Sequence, residues 1–435
     1  MKIAYITAGA AGMFCGSCMH DNTLVSALRA RGHDALLIPT YTPIRTDEPD
    51  VSQSRVFFGG INVYLQQKLS LFRLLDAPRL LRWVSRFAMR TQAELLAELT
   101  ISVLKGEHGY QRKEVAKLAE WLATHEKPQI VNLTNVLLSG MVHEIKDRCG
   151  VPVLATLQGD DIFLEALPEA YRGQAMHLVR EHCRSIDGFI ATSAYYADFM
   201  AGYLEIPRER IHVVHPGLNL AGHGTQASGL ASAPRGSDTR GADATPLAIG
   251  YFARICAEKG LHVLVDAFCH LRQMPDAPPC CLRVSGWLGD HNRAYFEKLQ
   301  RQLHEAGLAA DFEHVESPDH VSKVRFLQSI DVLSVPTTYR EPKGIYVLEA
   351  LANGVPVVQP RHGSFPELIE ATGGGVLVEP NHPEDLARGL RRVLENVAHR
   401  QEMGQKGKRA VHEHFNAERM AEKTEAVYHK YVATA

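Results

Sequence analysis

Mainly apolar runs of four to seven residues recur along the first half of this chain. They are Lys2 to Thr7, Ala35 to Pro39, Gln129 to Asn132, Val151 to Leu157, Gly188 to Thr192 and Ile211 to Val214. Runs of this length bounded by turn residues predict buried strands. A Gly-rich loop from Gly9 to Gly16 follows the first run, and a helix is expected through Leu24, Leu28 and Gly32. The second half opens with another run, Pro246 to Phe252. Leu261, Leu264, Val265, Phe268 and Leu271 then recur at helical spacing, so an amphipathic helix begins near 260. Further on, Gly344 opens a helix, Asn353-Gly354 closes it, and Val355 to Val358 starts a strand. Strands alternating with helices imply an α/β protein with parallel sheets.

The pattern stops between 221 and 245, where Gly, Ala, Ser and Thr dominate without apolar periodicity. This reads as a flexible connection. A chain of 435 residues also exceeds what one core usually organises. The expected division is a first domain over 1–217, a linker over 218–245, a second domain over 246–415 and a C-terminal helix over 416–435.

Composition narrows the class. A hydrophobic fraction of 45% and a charged fraction of 22% are those of a soluble globular protein, and a net charge of −2 gives no case for nucleic acid. No stretch of 18 apolar residues exists, so no membrane-crossing helix is expected. The start reads as a first strand rather than a leader, because Gly9 and Gly12 follow at once. A cytoplasmic location is the expectation.

Two segments carry candidate chemistry. In the first, a strand is followed by Arg254, then Lys259-Gly260 and a helix start. Free N–H groups and the helix dipole favour anions there. Arg254 adds a planar fork for phosphate oxygens and Lys259 a point charge. In the second segment, Glu341 and Glu349 stand eight positions apart around Gly344. At helical rise that is roughly 12 Å, the order of the span between ribose and sugar in a nucleotide-diphosphate sugar. Each carboxylate could accept two neighbouring hydroxyls. Solvated surface charges and an ordinary glycine cap would give the same pattern.

Other features are weaker. Cys15-Gly-Ser-Cys18 is the one C-x-x-C among eight cysteines, and without partner ligands it reads as reduced thiols in a tight loop. The first loop is not G-x-G-x-x-G and no acid stands at the expected ribose position, which argues against a nicotinamide dinucleotide. From 69 to 90, Arg79, Arg82, Arg86 and Arg90 form one helical stripe and Leu80, Trp83, Val84 and Phe87 another. Such a helix could lie on an anionic membrane and point to a lipid-linked acceptor, or it could pack on the first domain with solvated arginines.

Gly250 to Gly260 (with Arg254 and Lys259), Glu341 to Val358, and Gly363-Ser-Phe-Pro-Glu367 together resemble the retaining glycosyltransferases of family 4, the group-1 enzymes. The likeness is strong over about 246 to 415 and looser over 1 to 217. It implies a GT-B fold, two Rossmann-like domains with parallel sheets facing each other across a cleft, with the final helix crossing back to the first domain. It implies transfer of a sugar from a UDP- or GDP-linked donor to a hydroxyl acceptor with retention, without cofactor or metal. Arg254 and Lys259 would bind the diphosphate, Glu341 the donor sugar and Glu349 the ribose. Lys343 stands where the family usually has an aromatic residue. Backbone N–H groups of Gly344, Ile345 and Tyr346 would face the sugar and distal phosphate, and Gly12 and Gly16 would approach the diphosphate and acceptor. The strand ending at Gln158 departs from the family, which commonly has a histidine there. Gln158 could do its positioning work, or Asp160 or Asp161 could contact the acceptor; helix capping would equally explain the aspartates. A nucleotide-sugar epimerase of the same fold and a silent nucleotide-sugar-binding protein are the alternatives.

Overall fold

The computed structural model describes residues 1–9, 16–53, 92–224 and 246–433. The chain divides into two compact units, Met1–His215 with Glu418–Ala435, and Pro216–Ala417.

In the first unit the strands are β1 (Lys2–Thr7), β2 (Asp34–Pro39), β3 (Ile130–Leu133), β4 (Val153–Leu157), β5 (Gly188–Ala191) and β6 (Ile211–Val213). They pair in the order β2-β1-β3-β4-β5-β6, all parallel. Helices cover both faces, so β3, β4 and β5 are buried at every position and read as unbroken apolar runs rather than alternating ones. The helix Ala417–Val432 belongs to this unit. Its Met420, Ala421 and Tyr428 pack with Ile3, Tyr5 and Leu28, and Glu425 Oε2 accepts from Arg31 Nε at 2.8 Å.

The second unit repeats the plan. Its strands are β7 (Leu247–Phe252), β8 (Cys280–Ser285), β9 (Phe312–His314), β10 (Val332–Leu333), β11 (Val357–Pro360) and β12 (Gly375–Val378). Their order is β12-β11-β10-β7-β8-β9, again all parallel.

In both sheets the chain starts in the middle, runs to one edge, and returns to build the other. The strand order therefore reverses between β1 and β3 in one unit and between β7 and β10 in the other. The loops leaving the carboxyl ends of such strand pairs diverge to opposite faces and leave a crevice, where open α/β sheets bind ligands.

One boundary differs from expectation. Residues 218–224 are held to the second unit rather than forming part of a free linker. Leu218 N–H donates to Phe415 O at 2.9 Å, Gly224 N–H donates to Asn353 Oδ1 at 3.0 Å, and His223 is buried. The satisfied backbone explains why the Gly/Ala composition there does not mean mobility. The rest of the expected linker, the segment 69–90, Gly12 and Cys15 lie outside the described residues. Gly16 starts the helix Gly16–Ala30 and is exposed. No helix among the described residues is long and apolar enough to cross a membrane.

Candidate active site

The second unit brings its basic loop and its acidic loop together where the strand order reverses. After β7 the chain passes Arg254 and a short turn, Ala257–Lys259, and enters the helix Leu261–Gln273 through Gly260. Gly260 has φ +73°, and a Cβ there would fall 1.8 Å from the Pro336 carbonyl oxygen. Only glycine permits that conformation and that contact, so Gly260 lets the β7 loop lie on the β10 loop.

Across this contact Lys259 Nζ donates to Glu341 Oε2 at 2.7 Å and to the Tyr339 hydroxyl. The Tyr339 and Tyr346 hydroxyls also donate to Glu341 Oε2, at 2.7 and 3.2 Å. Both tyrosine rings lie 5.0 Å from the ammonium, within cation–π range. The other oxygen, Oε1, accepts long bonds from the Lys343 and Gly344 amides at 3.3 and 3.4 Å. Glu341 is only 4% exposed. Burial pushes its carboxyl up, but the Lys259 charge and hydrogen bond, the Tyr339 hydroxyl and the Lys343 charge outweigh it, and the carboxyl is lowered to about 2. An ammonium has three N–H donors, and Glu341 and Tyr339 occupy two, so a third can reach an anion. Arg254 is exposed beside this cluster, where its charge acts on Tyr339.

Gly344, with φ +65°, caps the helix Ile345–Ala352, whose first N–H groups have no acceptor within the helix. Lys343 and Tyr346 are buried and Ile345 is half-buried. Glu349 lies inside this helix, whereas Glu341 lies in the loop before it. Helical rise therefore describes only the residues from 345 onward, and the span reckoned from sequence does not hold for the whole interval. Glu349 is also buried, and Lys323 Nζ donates to its Oε1 at 2.7 Å. Neither glutamate is a solvated surface residue. Two buried acids, each paired to its own lysine, replace that reading.

In the first unit the corresponding reversal lies between the ends of β1 and β3. Asp21, fully buried in the helix Gly16–Ala30, bridges it. Its Oδ2 accepts from Thr7 Oγ1 at the end of β1 at 3.0 Å and from Thr134 Oγ1 after β3 at 2.6 Å. Its Oδ1 accepts from the Tyr5 hydroxyl at 2.9 Å and from Gln158 Nε2 at 3.2 Å. His20 Nδ1 stands 3.3 Å from the same oxygen. Gln158 Nε2 donates as well to the Thr134 carbonyl at 2.8 Å. A carboxylate and a carbonyl only accept, so the amide must turn its nitrogen towards them and its oxygen away.

The two candidate aspartates separate. Asp160 is buried and accepts from the Val136 and Gln158 amides at 2.8 and 2.9 Å, the arrangement of a backbone cap. Burial raises its carboxyl to about 6, against the pull of those N–H groups. Asp161 is half-buried and accepts from the Tyr196 hydroxyl at 2.5 Å. Burial raises it too, against the Tyr196 bond. Cys18 is buried in the helix Gly16–Ala30 rather than standing in a loop. Among the described residues no group of three or more His, Cys, Asp or Glu side chains could hold a metal ion.

Sequence reasoning did not single out Asp21, Lys323 or Tyr339. Two of them leave a trace. Asp21 stands at helical spacing with Leu24, Val25 and Leu28, and Lys323 stands beside Val324 and one turn before Leu327. A charge on an apolar stripe predicts a buried, paired group. Tyr339 lies in a loop and leaves no such trace.

Residues 237–410 match the family of glycosyl transferases group 1, and residues 22–217 match a glycosyl transferase 4-like domain. An uncharacterized glycosyltransferase of Methanocaldococcus jannaschii is 24% identical over 98% of each chain. A D-inositol 3-phosphate glycosyltransferase of Paenarthrobacter aurescens is 28% identical over 60% of this chain and 63% of its own. Among solved structures, sucrose-phosphate synthase of Thermosynechococcus elongatus superposes with a TM-score of 0.73 at 18% identity, covering 100% of both chains. Anabaena HepE in complex with UDP gives 0.69 at 16% identity, covering 99% of this chain and 100% of its own. The two family matches span most of the sequence, and the chain is a glycosyltransferase of GT-B fold.

Proposed function

We propose that this glycosyltransferase moves a sugar from a nucleotide-diphosphate donor, UDP- or GDP-linked, to a hydroxyl acceptor, with retention of anomeric configuration as in family 4. The reading rests above all on the Lys259–Glu341 pair, where cation and acid meet at the strand reversal of the second sheet. The breaking bond joins the anomeric carbon to a phosphate oxygen, and its electron pair leaves with the nucleoside diphosphate. Arg254 and the third N–H of Lys259 offset that charge. Glu341 accepts from donor sugar hydroxyls, and Glu349 from the ribose. The N–H groups at the start of the helix Ile345–Ala352 face the sugar and distal phosphate. Gln158, its amide oriented by Asp21 and Thr134, does the positioning work that a histidine commonly does in family 4. That the structural neighbour HepE was solved with UDP supports a uridine donor.

The test is a thermal-shift screen of UDP-, GDP- and other nucleotide sugars, since a donor stabilises the fold it binds. The best donor is then incubated with and without a panel of hydroxyl acceptors. Nucleoside diphosphate release that requires an acceptor, with the product's anomeric proton matching the donor's configuration by NMR, supports the reading. Release without any acceptor would make it an epimerase, and no shift with any nucleotide sugar would end it.

A further inference from the structure

Lys323 is a buried charge with no part in the chemistry above. It is 4% exposed, and its Nζ lies 2.7 Å from Glu349 Oε1. The pair joins two helices, His320–Gln328 and Ile345–Ala352. Both ends are on stiff frames. A capping box of Asp319 and Ser322 fixes the start of the lysine's helix, and Ser322 directly precedes Lys323. Asn353 Nδ2 donates to the Glu349 carbonyl at 2.9 Å and holds the glutamate's backbone.

Stability alone accounts poorly for such a pair. Desolvating two ions largely cancels their attraction, and apolar residues of similar size often pack as well or better. What the pair does supply is direction. A lone glutamate carboxylate rotates about its last bond; one held by an ammonium on a rigid helix does not, and its lone pairs point along fixed lines.

We infer that Lys323 is a positioning residue for the donor's ribose: it fixes the carboxylate plane of Glu349 so that the acid recognises the ribose 2′- and 3′-hydroxyls. This rests on the proposed role of Glu349. Lys323 touches no substrate; it acts through the acid. Its loss would lower discrimination between ribose and deoxyribose forms of a nucleotide, an effect that general destabilisation, common to both ligands, would not produce.

The experiment titrates UDP and GDP, and their 2′-deoxy and 3′-deoxy forms, into the full chain by calorimetry. The parent is expected to bind the ribonucleotide about tenfold more tightly than a deoxy form, the worth of one lost charge-assisted hydrogen bond. Lys323→Met is expected to narrow that ratio to within about twofold, and Lys323→Arg to keep most of it. Should the methionine variant not fold, Lys323→Gln, which keeps a neutral donor, is expected to narrow the ratio about threefold. If the parent discriminates and the Met or Gln variant discriminates equally well, the inference is overturned while the role of Glu349 stands. If the parent binds ribo and deoxy forms alike, the ribose role of Glu349 fails and the inference falls with it.

Discussion

Lys259 Nζ and Glu341 Oε2, 82 residues apart in sequence, lie 2.7 Å apart with both side chains nearly sealed from water. Each is the other's counter-charge. Lys259→Ala leaves a buried carboxylate without it, which costs about 3–5 kcal/mol. The variant is expected to unfold at clearly lower temperature than the parent. Lys259→Ala/Glu341→Gln should recover much of that loss and none of the transferase activity. Thermal unfolding with a turnover assay separates the two, and a double variant as unstable as the single would show that the pair is not what the fold requires.

Arg254 presents the opposite case. It is exposed, so Arg254→Ala is expected to change stability by no more than about 0.5 kcal/mol. A phosphate contact from a guanidinium is a charge-assisted bond, and its loss should weaken nucleoside diphosphate binding by about tenfold or more. Calorimetric titration of UDP and GDP reads this directly. Unchanged affinity would remove Arg254 from the diphosphate site.

The two buried acids should give stability opposite pH slopes. Glu341 is lowered from 4.5 to about 2 in the fold. Its contribution, about 3 kcal/mol, is present above pH 4.5 and is lost as pH falls towards 2. Asp160 is raised from 3.8 to about 6, so its contribution is present below pH 3.8 and lost as pH rises through 6. Unfolding midpoints of parent, Glu341→Gln and Asp160→Asn from pH 2 to 7 test both. Glu341→Gln should flatten the acid limb, and Asp160→Asn the slope between pH 4 and 6. Parallel profiles for all three would contradict these assignments.

Gln158→Glu tests the buried network of the first unit. The change puts a second carboxylate against Asp21 Oδ1 and the Thr134 carbonyl, where an N–H group now donates. Like charges in a buried site, or a forced proton, should cost at least about 2 kcal/mol and abolish transfer. Gln158→Met, which only deletes the bonds, should be milder in stability. A Glu variant as stable as the parent would mean that the amide is not oriented as described.

Much of the second unit is legible in the sequence. Gly344, Asn353 and the apolar run between them predict a helix that the structure places at Ile345–Ala352, because cap and period are local properties of the backbone. The helix expected near 260 starts at Leu261 for the same reason. Less legible were the partners. Glu341 and Glu349 leave a surface-charge reading open in the sequence, since nothing local reports that Lys259 and Lys323 reach them. Composition misleads at 221–224, where small residues suggest a free chain and the Gly224 bond to Asn353 holds it instead.

The sequence by itself determined the alternation of strands and helices, the parallel α/β class and the two segments that carry charge, because each depends on spacing along a few neighbouring residues. Only the tertiary structure decided which charges meet. The strand order puts β10 beside β7 and β3 beside β1, and so joins Lys259 to Glu341 and Asp21 to Thr134. A pairing of that kind depends on the path of the whole chain, and no local period encodes it.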